Sequence, residues 1–503
     1  MSGRRLVIVG GGVSGLSAGC FALMNGFEAL ILEQHSRLGG VATSWTRKGF
    51  RIDGRPAPIW GTMPGTILHD IYRELGIVPQ NRLQTLTRLE VHDESSLASL
   101  DLAAGLEEVE RSMKEISSSD AEVIEDLVDA AMEMSPELLP DIIASPSAID
   151  LSGHWLGRLW RGRRINRYRS GIWRRPFSRM LEEIRSDALR RMVASLQNAE
   201  SPAWLAAMHL SLAANRQLVT LQGGCSGLID SLQQRFERLG GRLRVGCRAD
   251  SILVGDGRVN GVRTSSEQVE AADWVITAAG GLAALPRMLE GPFSLRNIAD
   301  RHRALQVSPP RVLVALGTSR PFDEVPLFNT ILLRLPIHVG ASACARMVLR
   351  NYTEDSSIAP PGKGLIQAEL ESDWQFWYKL RALDARMYEG EKARLAREVM
   401  ARLETHLPGL TEKVEMTDVS TPFTTWRYTS NHEGSMDGWL PTRPALEEVY
   451  DRRVPGLGGL YLVGHWADVC WSLPQCLLSG RDAVRSICKD ADLPFRATAP
   501  SLP

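Results

Sequence analysis

The stretch that decides the fold runs from Arg5 to Gly19 and reads RLVIVGGGVSGLSAG. A short apolar run leads into three glycines, and apolar residues then return, so the stretch predicts a buried strand, a tight turn and a helix. A second apolar run, FEALILE at 27–33, predicts the next strand. Strand, helix and strand in this order predict an α/β fold with parallel strands.

The turn has the spacing G-x-G-x-x-G at Gly10, Gly12 and Gly15, and Glu33 ends the second strand eighteen residues after Gly15. In this arrangement the first glycine permits the sharp turn, the second lets the backbone approach a pyrophosphate, and the third lets helix and strand pack closely. The helix N-terminus offers N–H groups to phosphate, and Glu33 can accept from ribose hydroxyls. The pattern predicts a dinucleotide-binding Rossmann domain.

The turn leaves NAD and FAD open, because both contain an adenosine pyrophosphate. Beyond the acid come Arg37, the pair Gly39-Gly40, and then Asp53-Gly54. Glycines allow the backbone to lie close to a ligand, as a longer cofactor requires. The second pair therefore favours FAD.

The composition of the chain argues against several other classes of protein. The chain has 503 residues, 44% apolar and 23% charged, with a net charge of -1, which is enough for two or three domains and gives no global attraction to nucleic acid. Seven scattered cysteines without a C-x-x-C pair predict reduced thiols and a cytoplasmic protein. We expect no signal peptide and no membrane span, since no apolar run is long enough. Isolated histidines and the missing G-x-S-x-G argue against a metal site and a serine nucleophile.

The order of patterns predicts a discontinuous cofactor domain. Residues 91–214 look helical, residues 215–280 combine an amphipathic helix (226–239) with short strands and a hairpin signal, and strands from about 309 suggest a second, mainly antiparallel sheet. A long helix is expected at about 385–406. We therefore expect a cofactor domain of residues 1–90, 215–290 and 455–490, with a substrate domain made of a helical part, 91–214, and a sheet part, 291–454.

Residues 155–179 form an unusual segment with nine arginines, three tryptophans and no acid, directly after an acidic stretch. Its arginines could pair with that stretch and neutralise it. Alternatively the segment is a surface for membrane lipid, since arginine binds lipid phosphates and tryptophan favours the interface, or a dock for an acidic carrier or substrate anion. These alternatives stay open at the level of sequence.

Together the motifs resemble the phytoene desaturase, carotenoid isomerase and retinol saturase-like family of FAD-dependent oxidoreductases. The resemblance is carried by the glycine turn with Glu33, by GGCSGLIDSL at 223–232 with the strands after it, and by GLYLVG at 459–464 with LLSGR at 477–481. It implies a glutathione-reductase-like FAD-binding Rossmann domain with an inserted β-meander. An α+β domain would then hold an apolar substrate near a noncovalently bound flavin.

The resemblance also implies a set of cofactor-binding residues, which are Gly10, Gly12, Val13, Ser14, Gly15, Glu33, Arg37, Gly39, Gly40, Ala249, Gly464, Asp468 and Leu473. In this set Asp468 would replace an acid that the family places directly after the glycine equivalent to Gly464, where this chain has His465. Where the family has small glycines a few residues later, this chain has Cys470 and Trp471. That difference argues against a linear C40 polyene and favours a smaller or differently shaped apolar substrate.

Three residues are candidates for moving a proton in the active site: His465, Tyr428 and His432. Cys470 fits packing better than catalysis, because no neighbour in the sequence would lower its pKa. The expected activity is an FAD-dependent desaturase or saturase acting on carbon–carbon bonds of an apolar isoprenoid- or polyketide-like substrate. The alternatives are a non-redox cis/trans isomerase of a polyene and a flavin-binding protein without turnover.

Overall fold

The computed structural model describes residues 4–55, 58–78, 83–134, 171–278, 285–289, 300, 303–352, 355–447, 452–469 and 472–498. Two residues of the sequence argument, Cys470 and Trp471, lie outside this described part, as does most of the arginine and tryptophan segment, 155–170.

The strands are numbered along the chain. They are β1 (Arg5–Val9), β2 (Glu28–Leu32), β3 (Ser44–Arg47), β4 (Phe50–Asp53), β5 (Leu83–Thr85), β6 (Leu89–Asp93), β7 (Ser99–Asp101), β8 (Val219–Leu221), β9 (Arg242–Arg244), β10 (Ala249–Gly255), β11 (Arg258–Thr264), β12 (Val269–Ala271), β13 (Trp274–Thr277), β14 (Arg311–Thr318), β15 (Phe328–Val339), β16 (Ser342–Tyr352), β17 (Gly364–Glu371), β18 (Val414–Ser420) and β19 (Leu460–Leu462).

The helices are numbered in the same way. They are α1 (Val13–Met24), α2 (Ile67–Glu74), α3 (Leu106–Ile116), α4 (Ala121–Glu133), α5 (Phe177–Glu183), α6 (Asp187–Ala194), α7 (Ala203–Ala214), α8 (Gly224–Arg238), α9 (Leu285–Met288), α10 (Trp374–Leu383), α11 (Ala385–His406), α12 (Leu410–Lys413), α13 (Pro422–Thr429), α14 (Arg443–Glu447) and α15 (Leu473–Asp490). Within the described part, none of them is long and apolar enough to span a membrane.

A five-stranded parallel sheet lies at the centre of one half of the molecule, in the order β19-β13-β1-β2-β9. Strand β1 is buried from its second residue onward and β13 is buried throughout, as expected for strands covered on both faces. Helix α1 packs against α15 and α8. The sheet therefore combines pieces from the start, the middle and the end of the chain.

The strands β10, β11 and β12 form a separate antiparallel sheet between β9 and β13. Its first hairpin turns at Asp256-Gly257, both with positive φ (50° and 71°), as a tight two-residue turn requires. This is the β-meander that the sequence predicts between two strands of the parallel sheet.

The second large sheet has seven strands in the order β18-β14-β17-β16-β15-β6-β7. All pairs are antiparallel except β15 with β6, which run parallel. One face of β14 packs under helix α11, whose bounds coincide with those predicted, in a core that contains Trp377 and Leu395. Strand β6 spans Leu89 to Asp93, so the boundary predicted at residue 90 falls inside a strand of this sheet.

Helices α3 to α7 form the helical part of the described chain. Helix α7 is buried on nearly all sides, which fits its uniformly apolar sequence. At the described end of the arginine and tryptophan segment, Arg174 pairs with Glu447 and Arg179 pairs with Glu182. Neither partner belongs to the acidic stretch before the segment, so here the arginines neutralise other parts of the chain.

Candidate active site

A cavity of about 1400 Å³ opens at the carboxyl ends of the parallel strands β1, β2, β13 and β19. Ligands of open parallel sheets bind at this edge, because the loops there converge. The cavity continues past the β3–β4 hairpin to helices α10, α11 and α13. The parallel sheet and the seven-stranded sheet thus contribute to one continuous space.

The glycine turn after β1 is shaped for a close approach. Gly10 has a φ of 102°, which favours glycine, and a side chain at Gly15 would place its Cβ 2.0 Å from the carbonyl oxygen of Gly10. At Gly12 a Cβ would meet nothing nearer than 3.9 Å, so the space beside this residue is open. Gly15 is thus required for helix–strand packing, whereas Gly12 leaves space for a ligand.

A second glycine segment lies directly beside the first. The N–H of Gly39 donates to the carbonyl oxygen of Gly11 at 2.9 Å, and Gly39 and Gly40 both have positive φ, 116° and 59°. Helix α1 begins at Val13, and no side chain caps its N-terminus. Two backbone segments and an uncapped helix N-terminus form a cradle that fits a pyrophosphate.

Glu33 holds this cradle together at the end of β2. Its buried carboxylate accepts from the N–H groups of Gly11 and His35, both at 2.8 Å. Burial raises the pKa of Glu33, and the hydrogen bonds from His35 and Gly11 act in the opposite direction. The carboxylate lines the cavity and has lone pairs left for ribose hydroxyls.

Of the thirteen residues predicted to bind the cofactor, eleven line the cavity. They are Gly10, Gly12, Val13, Ser14, Glu33, Arg37, Gly39, Gly40, Ala249, Gly464 and Leu473. Gly15 lies behind the turn, where it contacts Gly10, and Asp468 lies behind the wall. The lining residues fit an FAD: Glu33 and Ala249 would contact the adenosine, the glycine cradle would hold the pyrophosphate, and Gly464 with Leu473 would lie toward the flavin.

Asp468 supports the loop after β19 from behind. Its carboxylate accepts from Ser479 and from Arg452, and Ser479 Oγ accepts in turn from the N–H of Gly464 at 2.9 Å. This series of hydrogen bonds holds the turn at Gly464, whose φ is 94°. The structure therefore places the predicted replacement acid in the support of the site and not in its lining.

His465 and His432 meet at the ring of Trp466. The centroid of the Trp466 ring lies 5.4 Å from that of His465 and 5.7 Å from that of His432, and both contacts are edge-on. His465 lines the cavity, and its Nε2 is buried without a hydrogen-bond partner among the described residues. A buried polar atom without a partner costs free energy, so this atom is available to a ligand.

Tyr428, the third candidate, lines the cavity beside the segment that follows β2. Its ring contacts His35 edge-on at 5.3 Å, next to Glu33, and it is 46% exposed. Beside it, Gln34 donates to Ser430 across the opening at 3.2 Å. Tyr428 therefore contacts the segment that follows β2, whereas His465 and His432 contact Trp466.

Sequence reasoning missed a group of half-buried charges at the cavity wall, where Arg55 and Asp437 belong to the lining. Asp437 pairs with Arg55 and, at 2.9 Å, with Arg311, which also binds Glu369 at 3.0 Å. Burial alone would raise the pKa of Asp437, but the two arginines outweigh it and lower that pKa. The sequence does not predict the pairing of Arg55 with Asp437, because the two residues are 382 positions apart. Their only signal in the sequence is that each has a glycine as its neighbour, Gly54 and Gly438.

Asp53, noted only as part of the second glycine region, is a buried anchor beneath the cavity. Its carboxylate accepts from the N–H of Cys225 at the start of α8 and from the hydroxyl of Tyr352, each at 3.1 Å. Burial raises its pKa to about 6 despite these donors. Helix α8 begins at Gly224, two residues before the predicted start, where it meets this carboxylate.

Comparison with known proteins agrees with this architecture. The family model described as flavin containing amine oxidoreductase matches residues 13–488. A solved oxidoreductase from Methanosarcina mazei shares the fold with a TM-score of 0.62 at 16% identity, and covers 96% of this chain and 100% of its own. Cyclohexylamine oxidase from Brevibacterium oxydans gives a TM-score of 0.61 at 15% identity, covering 97% and 100%.

Curated relatives match over shorter stretches. A carotenoid 3,4-desaturase from Haloarcula japonica is 35% identical over 92 residues, 18% of each chain. Prolycopene isomerase from Daucus carota is 25% identical over 262 residues, 48% of this chain and 39% of its own. The phytoene desaturase (lycopene-forming) of Pseudescherichia vulneris is 22% identical over 384 residues, 71% of this chain and 74% of its own. The first two matches thus span less than half of those relatives.

These relatives confirm the predicted resemblance to phytoene desaturases and carotenoid isomerases. The α/β FAD-binding fold and FAD as the cofactor follow from the matched family and from the cradle described above. The match over residues 13–488 shows that the chain belongs to the flavin-containing amine oxidoreductase family.

Proposed function

We propose that this protein is an FAD-dependent desaturase or saturase that acts on carbon–carbon bonds of an apolar isoprenoid- or polyketide-like substrate. Relatives named as carotenoid and phytoene desaturases support the substrate class. The observation that carries the proposal is the continuous cavity: a glycine cradle at one side and His465, with its unpartnered Nε2, in the same wall. Cofactor and substrate can therefore meet beside a group that moves protons.

The chemistry requires one hydride and one proton to leave or join neighbouring carbons. Bound flavin supplies the hydride acceptor or donor at its N5. The chain must hold the ribose at Glu33 and the pyrophosphate at the glycine cradle, exclude water, and place the substrate bond near a proton acceptor or donor. We assign the proton to Nε2 of His465, since this buried ring nitrogen belongs to a cavity-lining residue and has no hydrogen-bond partner among the described residues.

The other two candidates have different roles in this proposal. His432 also contacts the Trp466 ring and would help to position that ring and, through it, His465. Tyr428 contacts His35 and belongs to the adenosine end, where it would help to hold the cofactor. His465 is thus the one candidate to which we assign proton transfer.

In this proposal separate parts of the chain bind the cofactor and the substrate. Residues 1–90, 215–290 and 455–490 would hold FAD, and the helical part, 91–214, and the sheet part, 291–454, would enclose the substrate. Support comes from the parallel sheet, whose strands come from the first three of these ranges. The exception is β6 (Leu89–Asp93), which crosses the predicted boundary at residue 90 and pairs with β15 in the seven-stranded sheet.

A second candidate function is a cis/trans isomerase in which flavin acts without net redox change. The named relatives favour it as well, because prolycopene isomerases from Daucus carota and Arabidopsis thaliana match 25% and 23% identical over about half of this chain. The third alternative, flavin binding without turnover, requires no proton-transferring residue.

The test is anaerobic mixing of the yellow holoprotein with candidate polyenes, followed by flavin absorbance and product mass. Desaturation should bleach the flavin and remove two hydrogens. Saturation should reoxidise reduced protein and add two hydrogens, and isomerisation should leave the mass unchanged while requiring reduced flavin. If every polyene leaves both the absorbance and its own mass and geometry unchanged, the redox and isomerase proposals both fail.

His465→Asn tests the assigned residue. We expect it to keep FAD bound and to slow the reaction by about 100-fold or more, because the ring nitrogen that exchanges the proton is removed. The matched control is His338→Asn, an exposed histidine outside the cavity lining. A His465→Asn variant that binds FAD and turns over at the wild-type rate would contradict the assignment.

A further inference from the structure

Exposed apolar side chains concentrate at one corner of the described structure. Eleven large apolar side chains in the described residues are exposed, and five of them come from two short segments. We call four of these the apolar corner: Tyr378, Leu383, Met387 and Trp426. The fifth, Tyr428, contacts His35 instead. Leu383 and Met387, 76% and 54% exposed, lie on either side of the turn between α10 and α11.

Ring contacts join the two segments into one surface. Tyr378 on α10 and Trp426 on α13 have ring centroids 6.1 Å apart, and Trp374 lies 5.7 Å from Trp426. Large contiguous apolar surfaces on a protein mark interaction sites, whereas single exposed apolar residues are ordinary. The apolar corner therefore has the properties of a contact surface.

Four positively charged side chains without an ion pair in the described part of the chain lie in the same two segments as the apolar corner. Lys379, Arg381, Arg386 and Arg427 form no ion pair with any residue of the described structure. The nearby acids are engaged elsewhere, because Asp373 and Asp384 accept from the first N–H groups of α10 and α11, and Glu389 pairs with Lys392 at 3.1 Å. With a net charge of -1 for the chain, the excess of cations is a local property of this corner.

We propose that the apolar corner docks the protein on an anionic lipid membrane. Aromatic and aliphatic side chains would enter the interface, while lysine and arginine would bind the lipid phosphates. Leu383 and Met387 protrude from the surface, which suits insertion into lipid. The cavity rim includes Trp374, Arg381 and Trp426, so docking brings the cavity opening to the lipid. Docking itself is independent of the proposed reaction.

Vesicle flotation with the FAD-loaded full chain tests this proposal. We expect binding to vesicles of phosphatidylcholine with 30% phosphatidylglycerol, weaker binding to pure phosphatidylcholine, and release as salt rises. Failure to bind the anionic vesicles overturns the proposal. Flotation is measured without substrate, so a failed reaction assay leaves this result unaffected.

Two double variants locate the surface. Leu383→Glu with Met387→Glu, and Lys379→Glu with Arg386→Glu, should each weaken vesicle binding by about tenfold or more. All four side chains are absent from the cavity lining, so FAD absorbance should be unchanged and reports folding. The matched control is Leu335→Glu, at an apolar residue 56% exposed on β15, which should bind like wild type.

The same variants distinguish a protein partner from a membrane. If the apolar corner is an interface between two copies of this chain, light scattering will show a dimer that the Leu383 and Met387 variant dissociates, with no vesicle binding. That result overturns the membrane proposal, as does wild-type vesicle binding by both double variants. Quenching of Trp426 fluorescence by brominated lipid, lost in Trp426→Phe, would place this corner in the bilayer interface.

Discussion

Alanine at two neighbouring glycines should produce opposite effects on cofactor binding and on stability. A Cβ at Gly12 meets nothing within 3.9 Å and the residue has a φ of -76°, which any residue adopts, so Gly12→Ala should fold normally. A Cβ at Gly15 would lie 2.0 Å from the carbonyl oxygen of Gly10 and 3.4 Å from Ala278 Cβ, so Gly15→Ala must displace helix α1 from the sheet.

The magnitudes follow from these distances. For Gly12→Ala we expect less than about 0.5 kcal/mol change in the free energy of unfolding, as for substitutions without new contacts. If the pyrophosphate lies beside Gly12, the methyl group removes about one charge-assisted hydrogen bond, roughly 1.5–3 kcal/mol, and raises the FAD Kd by about 10- to 150-fold. For Gly15→Ala we expect a loss of about 1–3 kcal/mol in stability from overpacking.

Urea unfolding of the FAD-free protein measures the first quantity, and quenching of flavin fluorescence on titration measures the second. Gly390→Ala, on the surface of α11 with nothing within 4 Å, is the control. It should keep the wild-type FAD affinity and gain about 0.5–1 kcal/mol of stability from helix propensity. Wild-type FAD affinity in Gly12→Ala would refute the position we assign to the pyrophosphate. Equal stability of Gly15→Ala and wild type would refute the packing explanation for Gly15.

Two further predictions concern the support of the site. The native pKa of Asp53 is about 6, above the unfolded value of about 3.9, so the native state holds the proton longer and stability falls as pH rises between these values. From pH 5 to 7.5 this group should remove about 1.4 kcal/mol, a loss absent in Asp53→Asn and retained in the exposed control Asp70→Asn, measured by urea unfolding at both pH values. Ser479→Ala should leave the buried N–H of Gly464 without a partner and destabilise the holoprotein by about 1–3 kcal/mol. The control Ser486→Ala, later on α15, should not destabilise it. Equal melting temperatures for the two variants would contradict the support role of Ser479.

Local patterns made the cofactor half predictable from the sequence. The glycine turn, Glu33 and the second glycine pair depend on contacts within about forty residues. Of the thirteen residues predicted to bind the cofactor, eleven line the cavity. Asp468 differs because its role depends on Ser479 and Arg452, which a spacing argument does not include.

The remainder of the site depends on pairings between distant parts of the chain. Asp53 meets Tyr352 across 299 residues, and Arg55 meets Asp437 across 382. Strand β6 joins the seven-stranded sheet by parallel pairing with β15, more than two hundred residues later. Periodicity reports which face of an element is buried but not which distant element covers it, so these features appear only in the structure.

The contact between the β3–β4 hairpin and the seven-stranded sheet limits how the enzyme can open. Phe50 and Ile52 pack with Leu313 and Ala315 in one buried cluster, and the backbone of Asp53 exchanges two hydrogen bonds with the side chain of Gln367. Separating the two halves would expose this cluster and break both bonds, so a hinge motion like that of two-lobed binding proteins is unfavourable. Substrate exchange must then depend on local movement at the edge of the cavity, and the two halves should unfold together as one cooperative unit.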